Sequence, residues 1–421
     1  MIFFRVSQNI NIKATDGTLI NYLKFKEPSN MENETIYITT KDDFTDINSV
    51  FERVDKEKYF TKAFKEEKIR ALENFPIELG ITNIGESDNS YHDIEKVDIY
   101  KQLKNLKKDE IFVAIIGGVG ASISEIISSC TALRILHKKL KEVYKNVKID
   151  IFINASINSF YSRDKEIYLT QKYINNVLPL SLNSKKLCEY DYFIDNSQTI
   201  KTLDLNFLNS VDAWLYKFGI NYEKINDNEK YNEIDISEYK VSDVLKNRLI
   251  EAKLKGKLLL FHPYSANINK SIPQAIASEL LKELLLKAED YMIISTLSID
   301  AKIKDDRFLD FTKESKNISD FIYIVSNMDK IITADTSTYH ISDAFMIPTI
   351  TIFTDKNYEK KIKYYKYIKP LYVENKTKNL SKFVYENENL TLNKLKSWRK
   401  IKVEKIIKLL DTFWYNPALK N

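Results

Sequence analysis

The stretch ADTSTYHISDAF (334–345) crowds Asp335, Thr336, Ser337, Thr338 and His340 between two apolar runs, and His340 is one of only 4 histidines in the 421-residue chain. Two readings are open for each. Asp335 caps a following helix by accepting from the amide of residue 337 or 338, or it joins the hydroxyls in a pocket for a charged ligand. His340 is an ordinary packed histidine, or it lines that pocket. A second stretch, FHPYSANINKSIPQ (261–274), leaves an apolar run through polar residues and enters a helix with Ser271 as expected N-cap. Lys270 stands just before it. A cation at the positive end of a helix is disfavoured unless an anion joins them. Taken together, Lys270, the hydroxyls and a helix N-terminus can cradle a diphosphate.

A third stretch is GGVGASISE (117–125), with Gly117, Gly118 and Gly120 followed by Ser122. Glycines allow tight turns and close backbone approach, and the helix behind them offers amides to an anion or polar substrate. The dinucleotide fingerprint would need glycine where Ile123 stands. Plain strand-to-helix geometry explains this loop as well as a site does.

The elements around these stretches predict how they are held. Apolar runs at 111–116, 148–153 and 190–195 read as strands, and positions 123, 126, 127, 130, 133, 136 and 140 give helical spacing. After a polar segment (222–240), the alternation restarts with strands at 257–262, 291–296, 329–334 and 349–353 and helices at 271–290 and 318–327. Strands alternating with helices imply parallel, doubly wound sheets. The expectation is an α/β chain of two Rossmann-like halves, 106–240 and 241–390, preceded by an accessory region, 1–105. That region holds strands near 35–40 and a helix near 57–73. A last helix, about 391–412, packs back across the halves. Parallel sheets bind ligands at the carboxyl ends of their strands, which is where the loops after 262 and 334 emerge.

Composition narrows the classes. A chain this long exceeds one ordinary core. With 44% hydrophobic and 29% charged residues it reads as globular. No apolar run approaches the roughly 20 residues that span a bilayer, and the N-terminus lacks the pattern of a signal peptide. Two cysteines, Cys130 and Cys188, form no disulfide framework or metal-ligand spacing, which fits a cytoplasmic protein. A net charge of +5 does not require nucleic acid as a partner. The basic-aromatic segment KNYEKKIKYYKYIKP (356–370) either rests peripherally on an anionic membrane or is a solvated loop with partly packed tyrosines.

Residues 257–355 resemble the C-terminal domain of glycosyltransferase family 9, the ADP-heptose:lipopolysaccharide heptosyltransferase family of GT-B fold. KSIP (270–273) stands for the family's Lys-x-Trp-Pro. DTSTYHISDAFMIP (335–348) stands for its Asp-Ser/Thr-Gly-x-x-His-x-x-Ala followed by proline. Ile272 replaces the tryptophan and Ser337 the glycine. The likeness is fainter over 106–221 and does not extend to 1–105. The resemblance implies two domains facing a cleft, with a nucleotide-sugar donor, ADP-heptose or similar, held by Ser265, Lys270, Asp300, Asp335, Thr336, Ser337 and His340. It implies an acceptor-side loop at Gly117, Gly118, Gly120 and Ser122. The family's catalytic aspartate aligns with Glu125 when counted from TALR (131–134), and with Ala121 when counted from the glycines.

The implied activity is inverting sugar transfer to a hydroxyl of a glycan, lipid-linked or protein acceptor. Glu125 would act as base, with no cofactor or metal. The other class that the sequence admits is a catalytically silent nucleotide-sugar binder serving another transferase.

Overall fold

The structure, a computed structural model, describes residues 2–26, 34–40, 50–54, 70–72, 94–103, 106, 108–120, 122–156, 158–196, 208–299, 302–374 and 397–413. The chain forms two compact units, Met1–Lys230 and Tyr231–Asn421. The boundary falls inside the polar segment 222–240.

In the first unit, β1 (Ile2–Val6), β2 (Ile10–Lys13), β3 (Leu19–Tyr22), β4 (Tyr37–Thr39) and β5 (Phe51–Arg53) make a three-stranded antiparallel sheet, β4-β1-β5, and a hairpin, β2-β3. Phe3, Ile36 and Ile38 share one core with Ala114, Ile116 and Phe152. These N-terminal strands and the first parallel sheet therefore bury their apolar faces together.

That parallel sheet comprises β6 (Arg70–Ala71), β7 (Glu110–Ile116), β8 (Asn146–Ile153), β9 (Ile174–Pro179) and β10 (Tyr192–Asp195), in the order β6-β10-β7-β8-β9. Its central strands are near-continuous apolar runs because such a sheet is covered on both faces, here by helices and by the N-terminal strands. The longest of these helices is α1 (Ile123–Lys141), followed by α2 (Tyr161–Leu169), α3 (Ser184–Leu187) and α4 (Ser210–Lys217). In α1 the expected positions Ile126, Ile127, Cys130, Leu133, Leu136 and Leu140 are buried, and Lys138, Lys139 and Lys141 occupy the last turn, where a cation suits the helix dipole.

The second unit opens with α5 (Asp243–Lys255) and β11 (Lys257–His262), then α6 (Gln274–Lys287), β12 (Tyr291–Ser295), β13 (Phe308–Asp310), α7 (Ile318–Ser326) and β14 (Lys330–Ala334). It continues with α8 (Ser337–Ala344), β15 (Thr349–Phe353), α9 (Tyr358–Lys361), β16 (Ile368–Tyr372) and α10 (Val403–Asp411). All six strands are parallel, in the order β13-β12-β11-β14-β15-β16. In order of appearance that is 3-2-1-4-5-6, the arrangement of dinucleotide-binding sheets, whose crevice opens where the order reverses. Here the reversal lies between β11 and β14. The expected fold class, α/β with two doubly wound units, is the one the chain adopts.

Several elements differ from expectation. Helix α6 begins at Gln274, with Pro273 rather than Ser271 at the N-cap. Proline pushes the residue before it toward extended backbone, so the helix cannot start earlier. The segment from 356 is not a solvated loop: it forms α9, buries Tyr364 and Tyr365, and adds β16 to the sheet edge. Among the described residues the last helix is α10, and Trp398, Val403, Ile406 and Leu410 join the core of their own unit with Leu280, Leu284 and Ile352. Residues 391–396 lie outside the described residues, as does most of the helix expected near 57–73; Arg70–Ala71 is a strand.

Candidate functional site

The loop after β11 is built by its own polar side chains. The Ser271 hydroxyl donates to the Ser265 carbonyl at 3.0 Å and accepts from the Ser265 amide at 2.9 Å. Asn267 caps a short turn, Ile268–Lys270, by accepting from the Asn269 amide. Ile272, where the family carries tryptophan, is buried in the core and its amide donates to the Pro263 carbonyl at 2.9 Å. The loop is thus pinned at both ends, and Lys270 sits at the end of its turn. Ser265 serves this scaffold: its hydroxyl accepts from the Asn267 amide at 3.4 Å.

The loop after β14 meets it. Asp335 is only 4% exposed, and its Oδ2 lies 3.1 Å from Lys270 Nζ and 3.3 Å from Lys361 Nζ. Asp335 is not the helix cap. Thr336 occupies that position, and its hydroxyl makes no capping hydrogen bond, so the first-turn amides of α8 lack that partner. The aspartate's side chain is engaged with the two lysines instead. Ser337 starts the helix with ordinary negative φ; among the described residues, Met346 is the non-glycine residue with positive φ. Serine in place of glycine therefore strains nothing in the backbone there.

A third loop, after β15, completes the cluster. Lys361 Nζ also lies 3.1 Å from Asp355 Oδ2, and the Thr354 hydroxyl donates to the Asn269 carbonyl at 3.0 Å. Burial would raise the Asp355 carboxyl, yet the Asn357 amide and the charges of Lys361 and Lys270 hold it below the usual range. Sequence reasoning missed Lys361, Asp355 and Thr354. The available signal was position: all three follow a strand of the same parallel sheet, on the edge that carries Lys270 and Asp335.

His340 lies one turn into α8, buried, with Nδ1 2.6 Å from the Tyr365 hydroxyl and its ring centroid 4.0 Å from that of Tyr339. Burial first, then the positive charges of Lys270 and Lys361, lower its imidazole to about 3, so it is neutral. His262, at the carboxyl end of β11, is likewise buried and lowered to about 4 by that burial; its Nδ1 is 3.2 Å from the Thr296 hydroxyl. Asp343, on the far turn of α8, is pushed up to about 7 by burial, although it accepts from the Asn232 side chain and from backbone amides at 232, 366 and 367. It ties the helix to two chain segments. Asp300, expected to contact the donor, lies outside the described residues.

In the first unit, the glycine loop follows β7, the central strand of its sheet, flanked by β10 and β8. Gly117, Gly118 and Gly120 have φ of 95°, 72° and 152°. A Cβ at Gly120 would stand 2.7 Å from the Ile126 amide nitrogen, and one at Gly118 would stand 2.9 Å from the Tyr168 hydroxyl. That hydroxyl accepts from the Val119 amide at 2.8 Å, and Asn196 Nδ2 donates to the Gly118 carbonyl at 2.7 Å. The glycines are thus required by strand-to-helix packing. Ser122 caps α1 by accepting from the Glu125 amide at 3.3 Å. Glu125 stands in the first turn, at capping-box spacing from that serine. Ala121 lies outside the described residues.

Among the described residues, no group of three or more His, Cys, Asp or Glu side chains comes together as a metal site would require. No described helix is long and apolar enough to cross a membrane.

No family model matches the chain, and no curated protein does. Among solved structures, the chain is similar to ADP-heptose lipopolysaccharide heptosyltransferase II of E. coli, with TM-score 0.48 and 11% identity over 72% of this chain and 97% of that one. It is similar to a family 9 glycosyltransferase of Veillonella parvula, with TM-score 0.46 and 11% identity over 73% and 99%. It is also similar to the iron-containing dodecameric glycosyltransferase TibC of enterotoxigenic E. coli, with TM-score 0.45 and 11% identity over 75% and 81%. These are likenesses of fold at low identity, and the chemistry of the site rests on its own side chains.

Proposed function

We propose that the second unit binds the diphosphate of a nucleotide sugar across the ends of β11 and β14, and that the chain transfers the sugar to an acceptor hydroxyl with inversion. One observation carries this reading: buried Asp335 draws two lysines from two other loops to the point where the strand order of a 3-2-1-4-5-6 sheet reverses. Negative charge develops on the departing diphosphate, and Lys270 with the first-turn amides of α8 is placed to meet it. Thr336 and Ser337 offer hydroxyls beside those amides. Neutral His340 lies behind them, packed on Tyr339. Glu125 is the proposed base that takes the acceptor proton as the oxygen attacks the anomeric carbon. Heptose from ADP-heptose is the default donor that the family resemblance supplies; the acceptor is a glycan, lipid-linked or protein hydroxyl.

A silent nucleotide-sugar binder is the second reading. It is favoured by the place of Glu125, in a first turn where a glutamate commonly serves the helix itself. A screen of nucleotide sugars and acceptors, monitored by release of nucleoside diphosphate, separates the two. Transfer is expected to require acceptor and to fall by about a hundredfold or more in Lys270→Ala. Glu125→Gln is expected to retain donor binding and lose turnover. Binding without turnover across the panel establishes the silent reading, and a chain that binds no nucleotide sugar overturns both.

A further inference from the structure

We infer that Lys361 is a second phosphate-binding cation of this site, and that Asp355 competes with the phosphate for it. The inference rests on the donor-site reading above and extends it to residues that the sequence did not assign to the donor.

Lys361 ends the four-residue helix α9, and its Nζ bridges two carboxylates, 3.3 Å from Asp335 Oδ2 and 3.1 Å from Asp355 Oδ2. Lys270 reaches the same Oδ2 of Asp335 from the opposite loop at 3.1 Å. Two ammonium groups that share one carboxylate oxygen repel each other. An arrangement that sets them side by side is prepared for a further anion between them. The two carboxylates differ in kind. The Asp335 side chain is 4% exposed and so fixed in place, whereas that of Asp355 is 44% exposed and only partly desolvated. Exchanging the exposed partner for a phosphate oxygen costs little, because exposed ion pairs contribute little. Exchanging the buried one would strand a charge. Asp335 therefore positions both lysines, and Asp355 holds Lys361 until phosphate arrives. The Thr354 hydroxyl keeps this loop beside the Lys270 loop through the Asn269 carbonyl.

Titration calorimetry on the full chain tests this, with inorganic pyrophosphate, a panel of nucleoside diphosphates and the matching nucleosides as probes. Lys361→Ala is expected to weaken pyrophosphate and nucleoside diphosphate by about tenfold or more and to leave nucleoside binding unchanged. Asp355→Asn is expected to tighten both phosphate ligands by a few-fold. Lys361→Arg keeps the charge and is expected to restore most of the affinity; Lys361→Gln, similar in length and neutral, guards against an Ala variant that fails to fold. If Lys270→Ala weakens the diphosphate while Lys361→Ala and Lys361→Gln stay within about twofold of the unmodified chain, the inference is overturned and the donor site stands. If the lysine variants weaken pyrophosphate but nucleoside diphosphates bind no better than pyrophosphate, the inference stands and the nucleotide-sugar reading falls. If no phosphate ligand binds, both fall.

Discussion

Lys270 Nζ lies 3.1 Å from Asp335 Oδ2, although the two residues belong to loops that leave different strands of the sheet. The lysine side chain is 36% exposed and the aspartate side chain 4%, so the pair is unequal. The buried partner depends on the exposed one more than the reverse. An aspartate so placed organises cations around itself, and its motif neighbours are arranged about it.

Replacing that aspartate therefore loosens the site as well as the fold. Asp335→Asn is expected to lower the stability of the second unit by about 1–3 kcal/mol, discounted because both lysines reach water. Urea unfolding followed by fluorescence reads the change. A variant as stable as the parent would mean that the aspartate does not organise the lysines.

The two buried histidines make the chain sensitive to acid in a defined direction. An unfolded histidine takes up a proton near pH 6.5, whereas His262 is held down to about 4 by burial and His340 to about 3 by burial and by the two lysines. Below pH 6.5 the unfolded chain binds more protons than the folded one, so their contribution to stability is complete above that pH and is lost as pH falls toward 4 and 3. Asp343, raised to about 7, acts with the opposite sign, its contribution being lost as pH rises from about 4 to 7. Unfolding midpoints of the parent, His340→Gln and Asp343→Asn at pH 7.5, 6 and 5 separate the two groups. The His340 variant should lose less stability on acidification than the parent, and the Asp343 variant should lose less on going from pH 5 to 7.5.

The glycine loop of the first unit should behave as a structural joint. Gly120→Ala brings a Cβ to 2.7 Å from the Ile126 amide nitrogen at a φ of 152°, so backbone must move. A loss of about 2 kcal/mol or more is expected in the first unit's unfolding transition. A neutral outcome would show that the α1 terminus is free to shift.

The end of α8 offers the reverse experiment. Met346 has φ of 55° and follows the helix in a Schellman arrangement: Ile347 donates to the Ser342 carbonyl at 2.9 Å and Met346 to the Asp343 carbonyl at 3.0 Å. Glycine holds that conformation without steric cost, and Met346 is 45% exposed, so little packing is lost. Met346→Gly is expected to stabilise the second unit by about 1 kcal/mol, read as a higher urea midpoint.

Much of the scaffold was legible in the residues themselves. The buried strands at 111–116, 148–153, 257–262, 329–334 and 349–353 announce themselves because a parallel sheet covered on both faces needs unbroken apolar runs. The α1 face follows from its spacing. The loops at 261–274 and 334–345 stand out because polar residues at the carboxyl ends of such strands have a limited set of uses. Strands β9 and β16 escaped because charged or polar residues interrupt them, as in INNVLP (174–179), and β13 because it has only 3 residues, so that only their neighbours mark them as strands.

What the chain alone determined is local: which segments are buried, which of them are helical, and that Lys270, Asp335 and His340 lie near strand ends. Tertiary structure decided the rest. Strand order is a property of pairing between distant segments, and it is the 3-2-1-4-5-6 order that brings the 270 loop to the 335 loop. The partners of a charge are settled the same way. Nothing in KNYEKKIKYYKYIKP distinguishes Lys361 from the other lysines in that stretch, because a lysine's role depends on which carboxylate the fold sets within reach. Here the fold sets Asp335 there, 26 residues away in sequence and 3.3 Å away in space.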